Sequence, residues 1–205
     1  MPELVLFGHK ESGHAYKVAL ALAMTGAPHL RRNVDIWAPP ATRPQDFLRA
    51  SPFAEVPLLL IGNRAMVQSA SILLELAGLY PALWGGKRAT NEARCREILF
   101  WEANRIGMCL PQLIEARRVD GAGFPPGAID WLHMRYAADR DRFDLLLGEN
   151  AFFMGDTPSI ADCAVIGYTQ WHEKAGVEPS ASMAGWLARM RALPAHSPAE
   201  ALFPS

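Results

Sequence analysis

The sequence is poor in cysteine and has no excess of charge of either sign. Three cysteines stand among 205 residues, with no C-x-x-C pair and no histidine at zinc-finger spacing from them, so neither a disulfide framework nor a metal site is indicated. The formal net charge is −1, which gives no electrostatic reason to expect a nucleic acid or an anionic membrane as partner. We expect small-molecule or protein partners in a reducing cytoplasm.

Long apolar runs are also missing from the sequence. No stretch reaches the roughly 20 apolar residues that a transmembrane helix needs, and the charges of Glu3 and Lys10 flank the first apolar run. We therefore expect a protein that is neither exported nor embedded in a membrane. With 50% hydrophobic and 20% charged residues, the chain has the composition of one or two globular domains.

The first 80 residues alternate between strand and helix patterns. Short apolar runs predict strands at 4–7, 29–36, 58–61 and 65–67, and the dipeptide Gly62-Asn63 suits a tight hairpin turn between the last two. Helical stripes lie around 18–24, briefly at 45–50, and from Ser69 onward. The predicted order is β-α-β-α-β-β-α.

After Trp84-Gly85-Gly86 the strand signals disappear. Helices are predicted over 91–116 with a kink at Pro111, and over 126–147, 159–174 and 182–192. The expected organisation is a mixed α/β domain at 1–80, a linker at 81–90 and an all-helical domain at 91–205.

Two positions suggest ligand chemistry. Pro57 heads a strand that should be interior, where a trans proline fits poorly; a cis Val56–Pro57 bond would leave the Val56 backbone free to pair with an extended ligand. The alternative is a trans proline on an edge strand. Gln68-Ser69 joins a strand to a helix, where Ser69 and free N–H groups suit a carboxylate, although Ser69 as a simple helix cap is the plainer interpretation.

Two segments resemble soluble glutathione transferases. Residues 52–58 (PFAEVPL), 62–63 (GN) and 68–73 (QSASIL) are similar to the family's N-P-x-G-x-V-P-x-L, D-G and E/Q-S-x-A-I elements, and residues 153–162 (FMGDTPSIAD) to its G-D-x-P-S-x-A-D box. Ala54 stands where glycine is common, Ser51 where asparagine is common, and Gly62-Asn63 where the family often has Asp-Gly. These departures indicate a divergent, bacterial-like member.

The resemblance implies a thioredoxin-like N-terminal domain with cis-Pro57, an all-helical C-terminal domain, and a homodimer with the glutathione site beside the interface. By motif, Val56 and Pro57 would hold the cysteinyl part of the co-substrate glutathione, and Gln68 and Ser69 its γ-glutamyl end. The implied function is a detoxifying transferase that favours the glutathione thiolate for conjugation to, or isomerisation of, a small electrophile. The alternative is a non-catalytic dimeric interaction or regulatory protein of the same fold.

The family places its thiolate-stabilising donor after the first strand or at the start of the first helix. Leu6-Phe7 occupies the tyrosine-type position, and the spacing of serine- and cysteine-type members points to Ser12, where a hydroxyl near a helix N-terminus can donate to a thiolate. Ser12 as a helix cap is the alternative, and His14 is the rival donor. This loop holds no cysteine, so a mixed disulfide with the protein is not expected, and the three cysteines should be buried and inert.

The second substrate is expected between the domains, along the first long helix of the C-terminal half. Trp101, Arg105 and Met108 have i, i+4, i+7 spacing there, which suits a pocket but equally a core or dimer-facing stripe; Arg105 is the best ligand candidate of the three.

Other residues of this half are expected to serve the fold. Asp162 should form a capping box with Ser159 and so act as a fold residue rather than an acid or base. Trp131, Trp171 and Trp186 are expected in the core.

Overall fold

The structure, a computed structural model, describes residues 3–203. Its first part contains β1 (Leu4–Gly8), α1 (Gly13–Thr25), β2 (Leu30–Asn33), α2 (Gln45–Ala50), β3 (Leu58–Ile61), β4 (Arg64–Val67) and α3 (Ser69–Leu79). This is the predicted order of elements. The second strand is shorter than predicted.

The four strands form one sheet in the order β2-β1-β3-β4. Strand β1 runs parallel to β2 and antiparallel to β3, and β3 and β4 form a hairpin through Gly62, which has φ 58°. Alternate residues of β1 enter two apolar clusters: Leu6 packs on the side of α1 and α3, and Phe7 on the side of α2. The thioredoxin-like expectation is confirmed.

The second part is helical. It contains α4 (Arg88–Asn104), α5 (Ile106–Arg118), α6 (Ala128–Leu147), α7 (Ile160–Thr169), α8 (His172–Ala175), α9 (Ala181–Arg191) and α10 (Ala199–Leu202). A 3-10 turn, Pro81–Trp84, lies in the expected linker and buries Trp84. The domain boundaries stay a prediction, because one apolar core runs through both parts of the chain.

Two predicted helices are divided in the structure. The single helix predicted over 91–116 is wrong: Arg105 has φ −127° and ψ −102°, outside the helical region, so α4 ends at Asn104 and α5 begins at Ile106. Pro111 lies inside α5 rather than at the break. The apolar pattern continues across Arg105, so periodicity could not reveal this break. The helix predicted over 159–174 likewise ends at Thr169.

Helix α1 is buried between the sheet and the C-terminal helices, packing against α3 and α7. It approaches α7 closely at two glycines, since a Cβ on Gly167 would lie 2.8 Å from the carbonyl oxygen of Gly13. Among residues 3–203, no helix combines the length and apolar character needed to cross a membrane.

The cysteines and tryptophans test the predicted core. All three cysteines are free and fully buried, as expected, and burial raises the pKa of Cys95 and Cys109 to about 11; that the thiols are inert stays a prediction. Trp186 is fully buried, but Trp131 is 45% exposed, so its assignment to the core is wrong. Trp171 is half-buried against the core.

The predicted capping box at Ser159 and Asp162 is present at the start of α7. The fully buried Asp162 carboxylate accepts from the Ser159 N–H and hydroxyl, both at 2.9 Å. It also accepts from the indole N–H of Trp186 at 2.9 Å and the Phe153 N–H at 3.1 Å. Asp162 therefore joins the preceding loop, α7 and α9.

We predict that Asp162→Ala destabilises the fold severely. It would strand at least the N–H groups of Phe153, Ser159 and Trp186, and at about 1 kcal/mol or more each the loss is at least about 3 kcal/mol in unfolding free energy. Urea unfolding measures it, with Asp156→Ala, an exposed aspartate of the same motif, as the matched control. Equal stability of the two variants would contradict the role of Asp162 as a fold residue.

Candidate functional site

A cavity of about 410 Å³ opens between the loops at one edge of the sheet and helix α5. Its lining includes five of the predicted site residues: His14, Val56, Pro57, Gln68 and Ser69. Lys17, Glu55, Gly107, Met108 and Pro111 also line it. Two further predicted site residues, Ser12 and Arg105, are not among the lining residues.

The loop before β3 contributes Val56 and Pro57 to the lining of this cavity. The Val56–Pro57 bond is cis, as predicted. The Ser51 hydroxyl accepts from the N–H of Glu55 and donates to its carbonyl, both at 3.2 Å. The Arg43 guanidinium donates to the carbonyls of Ile36, at 2.9 Å, and Ala54. The side chains of Ser51 and Arg43 thus hold in place the loop that contributes Val56 and Pro57 to the site.

The start of α3 forms a second wall. Gln68 precedes the helix at φ 69°, a left-handed conformation that is uncommon outside glycine. Ser69 is the first helical residue, and within residues 3–203 no side chain caps the helix. The interpretation of Ser69 as a simple cap therefore does not describe this helix. Its unpaired N–H groups and positive dipole end suit an anion.

The start of α1 contains both predicted thiolate donors. Ser12 is the N-cap: its buried hydroxyl oxygen accepts from the Ala15 N–H at 3.2 Å. That bond uses an oxygen lone pair and leaves the hydroxyl proton available for donation, so capping and thiolate stabilisation are compatible. The catalytic role of Ser12 stays a prediction, and His14 is the donor whose ring lines the cavity.

A buried charged cluster that the sequence analysis missed lies beside His14. The Lys17 Nζ is 2.8 Å from Oε1 of Glu102 on α4 and 3.2 Å from Nδ1 of His14. The Lys17 and Glu102 side chains are 1% and 3% exposed. Burial and, secondarily, the Lys17 charge lower the pKa of His14 to about 3, whereas burial raises the pKa of Glu102 despite Lys17. The sequence feature that could have indicated this cluster is the position of Lys17 inside the apolar stripe of α1.

A second cavity, of about 470 Å³, adjoins the first at Pro111. Three aromatic side chains line it, Trp37, Tyr168 and Trp171. The Arg118 guanidinium lies over Trp37, 4.5 Å from the ring centroid, and the Lys174 ammonium lies 4.9 Å from the Trp171 centroid. This cavity therefore combines aromatic side chains with cations that lie over two of the rings.

The expected common face of Trp101, Arg105 and Met108 does not exist, because the helix breaks at Arg105. Met108 lines the first cavity, while Trp101 packs against the core. Arg105 occupies the junction of α4 and α5, and its ligand-binding role stays a prediction. Within the described part of the chain, no group of three or more His, Cys, Asp or Glu side chains could hold a metal ion.

Comparison with known proteins gives a family for the N-terminal part and a fold for the chain. Residues 12–79 match the family model described as glutathione S-transferase, N-terminal domain. A solved possible glutathione S-transferase from Rhodopseudomonas palustris is 27% identical, with 96% of this chain and 97% of that chain covered and a TM-score of 0.75. No curated protein matches the sequence.

Two further solved structures are similar in fold. A glutathione S-transferase from Xanthobacter autotrophicus is 24% identical, with 98% and 100% of the two chains covered and a TM-score of 0.81. A glutathione transferase family member from Pseudomonas fluorescens, with two glutathione bound, is 21% identical, with 95% and 90% covered and a TM-score of 0.80.

We predict that Gly107→Ala destabilises the protein by displacing Glu102. A Cβ at Gly107 would lie 1.9 Å from Glu102 Oε1, and such overpacking costs about 1–3 kcal/mol. Gly78→Ala in α3 is the matched control: nothing lies within 4 Å of its Cβ, so it should be neutral or gain up to about 1 kcal/mol. Denaturant unfolding measures the free energy of unfolding of the two variants. An equal increase for both would show that Glu102 is not held against Gly107.

Proposed function

We propose that the chain is a glutathione transferase acting on a small electrophile, because residues 12–79 match the N-terminal domain of that family and the fold of the chain is similar to those of solved glutathione transferases. One observation carries the proposal. The cis-proline loop and the uncapped start of α3 line the same cavity, which therefore offers backbone groups for an extended peptide and a positive helix end for a carboxylate.

Glutathione fits these two walls as a short peptide with a charged end. The Val56 N–H and C=O pair with its cysteinyl residue beside Pro57, and Gln68 and Ser69 receive the γ-glutamyl carboxylate at the start of α3. The glutathione bound in the Pseudomonas fluorescens family member supports this ligand. A solved complex of Ure2p with glutathione, 19% identical with a TM-score of 0.81, has a similar fold and supports the same ligand.

The reaction needs the glutathione sulfur as an anion, because a free thiol with a pKa of about 8.5 is mostly protonated at neutral pH. Ser12, at the positive end of α1, donates its hydroxyl proton to that anion while its oxygen caps the helix. His14 is the second donor at this end of α1. The thiolate then forms a carbon–sulfur bond with the electrophile, whose leaving group departs or whose double bond rearranges.

The electrophile occupies the second cavity, which shares Pro111 with the first. We propose a homodimer in the cytoplasm. Phe53, at the first cavity, and Phe100, on α4, are 60% and 68% exposed, which favours burial against a second copy. The three free cysteines are consistent with a reducing compartment.

The alternative function is a glutathione-binding protein without transferase activity. It follows if neither Ser12 nor His14 stabilises the glutathione thiolate. Titration calorimetry with glutathione, followed by a screen of aromatic electrophiles, separates the two functions: binding with turnover supports the transferase, and binding without turnover supports the alternative. Failure to bind glutathione would overturn both.

We predict that Ser69→Ala weakens glutathione binding at least about tenfold. A hydrogen bond to a charged group contributes about 1.5–3 kcal/mol, and the substitution removes one from the carboxylate. Ser71→Ala, an exposed serine two residues further along α3, is the control and should bind normally. Equal affinities of both variants in titration calorimetry would remove Ser69 from the site.

We predict that Ser12→Ala raises the pKa of the bound glutathione thiol by about one unit and also lowers stability by about 1 kcal/mol through the lost cap. Thiolate absorbance against pH measures the first effect and urea unfolding the second. Ser180→Ala removes the cap that accepts from Met183 at the start of α9, together with a hydrogen bond to Asp144, and is the control for loss of a cap away from the cavity. If Ser12→Ala loses stability while the thiol pKa stays unchanged, Ser12 is only a cap.

A further inference from the structure

Lys17 is a lysine almost completely removed from water, and the chemistry proposed above does not use it. Its side chain is 1% exposed, and its ammonium contacts the Glu102 carboxylate at 2.8 Å and the His14 Nδ1 at 3.2 Å. The ion pair of Lys17 with Glu102 joins α1 to α4, and the other neighbour of the ammonium, His14, lines the ligand cavity. The cluster therefore connects a buried charge to the site.

The chemistry of an ammonium group fixes the protonation of the ring. A lysine ammonium has three donors and no acceptor, so the His14 Nδ1 beside it must accept. A neutral imidazole has one acceptor and one donor nitrogen, which places the proton of His14 on Nε2. Protonating Nδ1 as well would set a second cation against Lys17. The burial and Lys17 charge that lower the pKa of His14 act in the same direction.

The other groups around the His14 ring do not change the placement of its proton on Nε2. Tyr168 on α7 packs edge-on against His14 at 5.0 Å between ring centroids. Glu102 is paired with Lys17, and Glu55 lines the same cavity from the loop before β3. Of these groups, Lys17 is the one within hydrogen-bond distance of Nδ1.

The fold makes room for the ion pair at two glycines. A Cβ on Gly167 would lie 2.5 Å from Cε of Lys17, and a Cβ on Gly107 would lie 1.9 Å from Oε1 of Glu102. A buried ammonium without its partner would be strongly destabilising, so Glu102 keeps Lys17 charged. Lys17 is thereby held in its donor-only form next to His14.

We propose that Lys17 is a positioning residue for His14 that holds the imidazole ring as the neutral Nε2–H tautomer. The His14 ring then serves the cavity as a hydrogen-bond donor, and its protonation does not change between about pH 5 and 8. The assignment of the sulfur anion of glutathione as the acceptor of that N–H rests on the proposed function. His14 then stabilises the thiolate without taking the thiol proton, which leaves to solvent.

The tautomer is measured directly in the free protein. Long-range ¹H–¹⁵N spectra of the ¹⁵N-labelled chain, with the His14 signals assigned through His14→Phe, distinguish a proton on Nε2 from one on Nδ1. We expect the Nε2–H pattern, unchanged from about pH 5 to 8. A proton on Nδ1, or a titration of the ring within that range, would overturn the proposal.

The role of Lys17 is tested by removing the pair as a whole. Lys17→Met leaves Glu102 unpaired and risks misfolding, so Lys17→Met/Glu102→Gln, which leaves no buried charge at either position, is the main variant. We expect its His14 ring to populate both tautomers and its pKa to rise, while staying below the usual value of about 6.5 because the ring is still buried. Arg94→Met, which removes a cation from the exposed pair with Glu97, should leave His14 unchanged. An unaltered tautomer in the double variant would overturn the positioning role.

The sulfur as acceptor is tested with bound glutathione. His14→Phe should raise the pKa of the bound thiol by about one unit, as read from thiolate absorbance. An unchanged thiol pKa in a variant that still binds glutathione would remove the sulfur from the proposal. Failure of the wild-type protein to bind glutathione would instead overturn the proposed function, because the tautomer is established without ligand.

Discussion

The close approach of α1 to α7 is the constraint on which the site depends. A Cβ on Gly13 would lie 2.6 Å from the Gly167 carbonyl oxygen, so the two helices meet at a distance that only glycine permits. The first turns of α1 line the ligand cavity, and the missing side chain of Gly167 leaves room for Lys17, which pairs with Glu102 on α4. Because a buried charge without its partner is strongly destabilising, the pair stabilises the contact of α1 with α4.

Sequence rules recovered what local chemistry determines and missed what long-range contact determines. The order of strands and helices along the first 80 residues, the cis bond before Pro57 and the capping box at Asp162 follow from signals within a few residues, and all are confirmed. The pairing of Lys17 with Glu102 depends on residues 85 positions apart meeting in space, and the helix break at Arg105 interrupts an apolar pattern that continues across it. No periodic pattern in one sequence encodes such a meeting, because apolar spacing identifies a buried face without naming its neighbour.

Backbone strain lies at both walls of the cavity. Ala54 has φ 52° and Gln68 has φ 69°, and neither residue is glycine. Left-handed conformations of this kind cost about 1–3 kcal/mol and persist where surrounding contacts enforce them. At Ala54 the contact is visible, since Arg43 donates to its carbonyl. This also explains why the similar family motif has glycine at that position, and why the substitution by alanine is tolerated here.

The two helix starts at the cavity have complementary chemistry. Helix α1 is capped by the neutral hydroxyl of Ser12, so its dipole is not cancelled by a charge of the protein. Helix α3 has no side-chain cap within residues 3–203, and its first N–H groups lack the partner that a helix start normally has. On the proposed placement, the γ-glutamyl carboxylate supplies the acceptor that Gln68 does not, and so acts as the cap of α3. Glutathione binding then also stabilises the first turn of α3, because the same hydrogen bonds hold the ligand and satisfy the N–H groups of the helix.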